Sequence, residues 1–281
     1  MSVFLIQLDC SMTSNNANPI AVIDSGIGGM STLSYISTTL PLENIIYVAD
    51  SNYAPYGGKS DQEITARMLK IFDFLLAKKT KLFVLACNTA TAASIANLRK
   101  RYPYPIIGME PAVKPAAKTT QNHKVGILAT AGTLKSAKFA ALLDTYTIED
   151  INFYTQPCEG LVEFIENGDI ESKELKILLD KYLNPLLKEN IDTLILGCTH
   201  YWFIKDLIKE IIGDQIQIID TNQAVANHVK NTLLELNSLN QNNSGRVEFW
   251  SNSNKSNIKE IMTKYWIGNN SKFNFMGNWE I

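Results

Sequence analysis

Residues 82–94, LFVLACNTATAAS, begin as a strand and end as a helix, and the change falls on a cysteine. Residues 82–86 are a continuous apolar run of strand length, and residues 91–98 have the small-residue pattern of a helix. Cys87 therefore stands at a strand-to-helix junction. A cysteine kept for volume alone sits more naturally inside the strand than at its tip beside an amide and a hydroxyl, so the position points to chemistry. Working outward, residues 192–204, DTLILGCTHYWFI, repeat the arrangement around Cys198, 111 positions later. Each time an apolar strand runs into cysteine, then a polar residue, then a helix. Two half-chains with such matching strand ends are expected to face each other across a cleft, because ligands of open α/β sheets bind beyond the carboxyl ends of the strands.

The rest of the chain supports this class. Apolar runs at 20–24, 44–50, 81–87, 105–109, 124–130, 151–156, 192–198 and 216–220 alternate with amphipathic segments such as 62–78 and 173–190. Strand-helix alternation with strands rich in Val, Ile and Leu predicts mostly parallel sheets covered on both faces, the doubly wound α/β class. A polar low-complexity loop, NSLNQNNSG at 237–245, precedes a short strand RVEFW and a last helix near 258–266.

Composition excludes several classes. The 281 residues are 46% hydrophobic with a formal net charge of −2, which suits a globular protein and gives no polyanion-binding surface, so no nucleic-acid partner is expected. No apolar run approaches the roughly 18 residues of a membrane span. The first residues, MSVFLIQLDCSM, lack the positive start and long apolar core of a secretory signal, so a cytoplasmic location is expected. The four cysteines, Cys10, Cys87, Cys158 and Cys198, form no CxxC pair, which speaks against a zinc ribbon or a disulfide scaffold.

Two glycine-rich turns imitate nucleotide motifs and fail. DSGIGGMS at 24–31 would need a third glycine where Ser31 stands, and GGKS at 57–60 would need its leading glycine where Tyr53 stands. A tight turn accounts for the glycines of the first, but not for Asp24 and Ser25 at the strand tip. ADSNYAPYGGKS at 49–60 again carries an acid, Asp50, at a strand end; its Pro-Tyr-Gly turn is either punctuation or a set of backbone N–H groups offered to a carboxylate. In LGCTHY, Cys198 and His200 are two apart, and a neighbouring imidazolium lowers a thiol's pKa from about 8.5 toward neutrality. The alternatives are a chance neighbour or, with Cys87, a Cys₂His zinc site, for which the local ligand spacing is missing. Cys10, Cys158, His123 and His228 lack such a setting, and Glu163 by itself reads as a solvated helix charge.

Taken together, AVIDSGIGGMSTL, YVADSNYAPYGGKS, VLACNTATAAS, IIGMEPAVKPA, LVEFIENG, LILGCTHY and IIDTNQAVA, in this order from about residue 20 to 226, resemble the glutamate racemases of bacterial cell-wall synthesis. The resemblance implies a cofactor-independent enzyme that makes D-glutamate for peptidoglycan precursors. It implies two α/β domains of similar topology with the active site in the cleft between them: 20–111 plus 222–281, and 112–221, after an N-terminal extension at 1–19. Cys87 and Cys198 correspond to the family's acid/base pair, assisted by Asp24 and His200, with Asp50 and Glu163 as acids around the site. Asp24, Ser25, Tyr56, Gly57, Asn88, Thr89, Thr199 and His200 fall on substrate-binding positions. A monomer or homodimer is implied, with a peptidoglycan-precursor activator in members that carry an extended N-terminus. Trp202 replaces the family's usual proline and Ala49 its commoner glycine.

The chemistry suits two thiols. Racemisation removes the α-proton from one face and returns a proton to the other, so two bases flanking Cα need only be one thiolate and one thiol. Asp24 is expected to partner Cys87, and His200 to partner Cys198, with the Cys87-type thiol handling D-glutamate and the Cys198-type thiol L-glutamate by resemblance. Without pyridoxal phosphate, fixed donors must stabilise the carbanion. The alternatives are an aspartate racemase, which shares the cysteine pair, and a non-catalytic binding or regulatory protein on the same scaffold.

Overall fold

The computed structural model describes residues 16–147, 150–241, 245–253, 255–266 and 274–276. Cys10, most of the N-terminal extension and the centre of the polar loop at 237–245 lie outside the described residues.

Among the described residues ten strands form two sheets, and every pairing is parallel. The first holds β1 (Ile20–Asp24), β2 (Ile45–Ala49), β3 (Leu82–Leu85), β4 (Ile106–Gly108), β9 (Val247–Ser251) and β10 (Asn274–Met276), in the order β10-β9-β2-β1-β3-β4. The second holds β5 (Lys124–Ala129), β6 (Asn152–Pro157), β7 (Thr193–Leu196) and β8 (Gln217–Ile219), in the order β6-β5-β7-β8. Four strands of the first sheet, β2-β1-β3-β4, thus repeat the winding of the whole second sheet. The internal echo has its cause here: Cys87 follows the third strand of one unit and Cys198 the third strand of the other.

Strands β1, β2, β3 and β7 are buried along their whole length, which is why they read as unbroken apolar runs rather than alternating ones. One contiguous apolar cluster contains side chains from both sheets, among them Val22, Val84, Leu128 and Leu196. Two further clusters cover the other faces, around Phe72 and Phe83 on the first sheet and around Val125 and Ile195 on the second. The shared core holds the two units together and leaves their strand tips to define the cleft.

The helix Asp61–Ala77 starts at a capping box, in which Ser60 accepts from the Glu63 N–H and Glu63 accepts from that of Ser60. Two elements depart from the sequence expectation. The segment after Cys198 is a 3₁₀ turn, Thr199–Ile204, and the α-helix Lys205–Ile212 begins only after it. Trp202, where the family resemblance expects proline, lies in this turn with its ring edge-on to Phe203, whose ring in turn meets Tyr265, centroids 4.4 Å apart. β10 has no counterpart among the expected strands, since its sequence, Asn-Phe-Met, carries no run of apolar residues of strand length.

Candidate active site

Cys87 caps the helix Asn88–Arg101, and its sulfur accepts from the Ala90 N–H at 3.4 Å. A helix N-terminus favours a thiolate. Here burial, and after it the charge of Asp24, outweigh that N–H and push the Cys87 thiol up to about 12, so it rests as a protonated thiol. Asp24, the last residue of β1, is buried and accepts from the Gly26 N–H at 2.9 Å and the Thr199 hydroxyl at 3.1 Å. Burial lifts its carboxyl above the ordinary value, against the nearby charge of His200.

Across the seam, Cys198 lies 3.8 Å from Nδ1 of His200, and Nε2 of the same ring lies 2.6 Å from Oε1 of Glu166. Burial works against the charged ring, but its hydrogen bonds to Cys198 and Glu166, and their charges, prevail and hold His200 well above the ordinary histidine value. Glu166 also accepts from the Ile27 N–H at 2.7 Å, tying this acid to the loop after Asp24. Tyr47 fixes the same loop by donating to the Gly26 carbonyl at 2.6 Å.

Both thiols line one small cavity, together with Ser25, Pro55, Tyr56, Gly57, Asn88, Thr89, Thr130, Val162, Thr199 and His200. Its volume is about 10 Å³, room for about one water. Pro55, Gly57, Thr130 and Val162 also line a vestibule of about 640 Å³ beside it. Oδ1 of Asn88 is buried and has no hydrogen-bond partner among the described residues. The hydroxyls of Thr89, Thr130 and Thr133 form a triangle with edges of 2.9, 3.0 and 3.2 Å, joining the helix after Cys87 to the turn after β5.

Of the residues singled out by sequence, Ser25, Tyr56, Gly57, Cys87, Asn88, Thr89, Cys198, Thr199 and His200 come together here, with Asp24 bound to Thr199 behind them. Two acids stand elsewhere. Asp50 is buried outside the cavity lining, held by Arg67, Tyr56 and Asn252. Glu163 is exposed on the vestibule wall, and the acid that reaches His200 is Glu166, one helical turn later. The cause is the helix Leu161–Glu166, whose buried face carries Leu161, Val162, Ile165 and Glu166. The apolar pattern alone puts position 166 on that face and 163 off it, a signal available in the sequence. Thr130 and Val162 carry no comparable signal, because they reach the site from the starts of two helices that only the cleft brings near.

The chain matches the model of the Asp/Glu/Hydantoin racemase family over residues 31–229. It belongs to that family. A glutamate racemase from Pseudomonas paraeruginosa is 49% identical over 249 residues, covering 88% of this chain and 94% of that one. Among solved structures, a glutamate racemase from Bacillus anthracis superposes with a TM-score of 0.83 at 32% identity, over 93% of this chain and 97% of that one. The Escherichia coli glutamate racemase, solved with L-glutamate and the activator UDP-MurNAc-Ala, superposes with a TM-score of 0.80 at 27% identity, over 93% and 98%. Among the described residues no helix is long and apolar enough to cross a membrane, and no group of three or more His, Cys, Asp or Glu side chains is arranged to hold a metal ion.

Proposed function

We propose that this chain interconverts L- and D-glutamate by a two-base reaction, with Cys87 and Cys198 on opposite faces of the α-carbon and no electron-sink cofactor. The observation that carries the proposal is that two thiols from different sheets line one cavity and have unlike partners. Cys87 is the resting proton donor, since burial keeps its proton in place. Cys198 is the facing base, and His200, held by Glu166 on its other nitrogen, is placed to balance negative charge on that sulfur. An enantiomer whose α-proton faces Cys198 is therefore deprotonated there and reprotonated by Cys87, and the reverse turnover starts from the opposite protonation state. Asn88 offers a buried acceptor for the α-ammonium, and Ser25 and Thr89 offer hydroxyls to the carboxylate on which charge accumulates.

Glutamate is larger than a cavity of about 10 Å³, so entry requires the seam between the units to part and close again around it. Closure excludes water and strengthens every polar contact at the reacting centre. The domain limits 20–111 plus 222–281 and 112–221, a role in supplying D-glutamate for peptidoglycan, and a precursor-type activator such as the Escherichia coli relative binds belong to the same proposal.

The test is circular-dichroism-detected racemisation of L- and D-glutamate by the purified protein, with L-aspartate as comparison. Turnover of glutamate in both directions, with aspartate slow, is the expected result; preferential turnover of aspartate, or of neither acid, overturns the proposal. A second expectation concerns pH. Glu166→Gln removes a negative charge that helps His200 keep its proton, so the alkaline limb of kcat/KM moves to lower pH. An unmoved limb would show that His200 does not balance the Cys198 thiolate.

A further inference from the structure

The Asp50 carboxylate, fully buried at the end of β2, is surrounded by four donors. Oδ1 accepts from Nη2 of Arg67 at 2.7 Å and from Nδ2 of Asn252 at 2.5 Å, and Oδ2 accepts from Nε of Arg67 at 2.9 Å and from the Tyr56 hydroxyl at 2.5 Å. A carboxylate has about four lone-pair directions, so its capacity is filled and none is left to take a proton from a substrate. The donors come from three separate places: the 50–60 loop, the helix Asp61–Ala77, and the chain just after β9, 202 residues away. Asn252 is used twice, since its Oδ1 also accepts from the Asn52 N–H at 3.0 Å. The Arg67 guanidinium stacks on the Tyr53 ring at 3.8 Å, which clamps the other side of the same loop.

What this network holds is the cavity wall. Pro55, Tyr56 and Gly57 line the space around the two thiols, and the Tyr56 hydroxyl is bound to Asp50, which lies outside that lining. Burial and the Asp50 charge keep the Tyr56 phenol well above its ordinary value, so it is a fixed donor and not a proton carrier. The backbone N–H of Asp50 is bonded to the Asp24 carbonyl at 3.1 Å, which ties the cluster to the strand tip that carries Asp24.

We propose that Arg67 and Asn252 are positioning residues for the reaction: by filling the valences of Asp50 they fix Tyr56, and through it the Pro55-Tyr56-Gly57 wall of the substrate cavity. Asp50 itself then acts as the hub of this support and not as an acid or base. The C-terminal return of the chain thereby contributes to the site, although none of its described residues lines the cavity. The inference rests on the proposed glutamate racemisation for its kinetic readout and on the loop itself for a second one.

The experiment compares wild type with Asn252→Ala, Arg67→Lys, Tyr56→Phe and the double variant Asn252→Ala/Tyr56→Phe. Arg67→Lys keeps the charge but loses the two-pronged grip, and it serves where Asn252→Ala folds poorly. Loss of one hydrogen bond to the buried carboxylate is expected to raise KM for both enantiomers by about ten- to a hundredfold, with a smaller change in kcat. KM does not depend on the fraction of protein that is folded, so a merely structural lesion would lower the apparent kcat and leave KM in place. Because both residues act through one carboxylate, the double variant should fall well short of the product of the single effects. Hydrogen exchange of residues 53–58 in the ligand-free protein should accelerate in each variant. A KM within twofold of wild type, strictly multiplicative effects, or unchanged exchange in that loop would overturn the inference. A wild type inactive on glutamate defeats the activity proposal instead, and the exchange of the loop then decides this one by itself.

Discussion

Cys198→Ser and Cys87→Ser should each lower glutamate racemisation by about 10²–10⁴-fold, the usual contribution of a positioned acid or base. Serine is close to cysteine in shape but cannot supply a comparable anion at neutral pH. Both cysteines are nearly buried and neither carries the fold, so the variants should unfold at close to the wild-type temperature. Each turnover needs one group to take a proton and the other to give one, and the loss of either therefore blocks both directions. Racemisation rates measured from both enantiomers, with protein concentration corrected by active folded fraction, check this. Undiminished racemisation by either variant removes the two-base account.

Gly28→Ala should be strongly damaging although the substitution touches neither reacting sulfur. A Cβ at this position would lie 2.4 Å from Nδ1 and 2.7 Å from Cε1 of His200, and 2.5 Å from the hydroxyl of Thr199. Those atoms belong to the turn after β7, across the seam from the loop that carries Gly28. They are not free to yield: His200 is held between Cys198 and Glu166, and Thr199 is bonded to Asp24. One methyl group therefore wedges the two units apart where the thiols must close on the substrate. Displacement of about 1 Å at a reacting centre costs on the order of 10²-fold, and that loss is expected in kcat/KM. Steady-state kinetics alongside a melting curve check it; wild-type kcat/KM would mean that closure at Gly28 does not set the geometry of the site.

The fold was legible chiefly because its central strands β1, β2, β3 and β7 are buried on both faces, so that each appears as an unbroken apolar block. Eight apolar runs, and the cysteine at the end of two of them, are visible before any contact is known. What escaped has physical causes. The turn Thr199–Ile204 is 3₁₀ rather than α, because its first turn is shaped by the seam contacts of Thr199 and His200 and not by an amphipathic period. Glu166 was hidden behind Glu163, although the buried face of Leu161–Glu166 distinguishes them. Asp50 looked like a site acid because it stands at a strand tip; only its partners, one of them 202 residues away, show that its valences are filled within the protein. Long-range partners such as Asn252 leave no local mark in a sequence.

The central claim is that two thiols, one losing its proton while the other holds one, work on opposite faces of a single carbon. Its most direct measurement is racemisation in deuterated water, followed separately from L- and from D-glutamate at early times by mass and by NMR at the α-position. Two monoprotic bases predict that the product enantiomer carries deuterium at Cα while the recovered starting enantiomer stays almost unlabelled, in both directions. Product formed without solvent deuterium, or label entering starting material and product at equal rates, would contradict it.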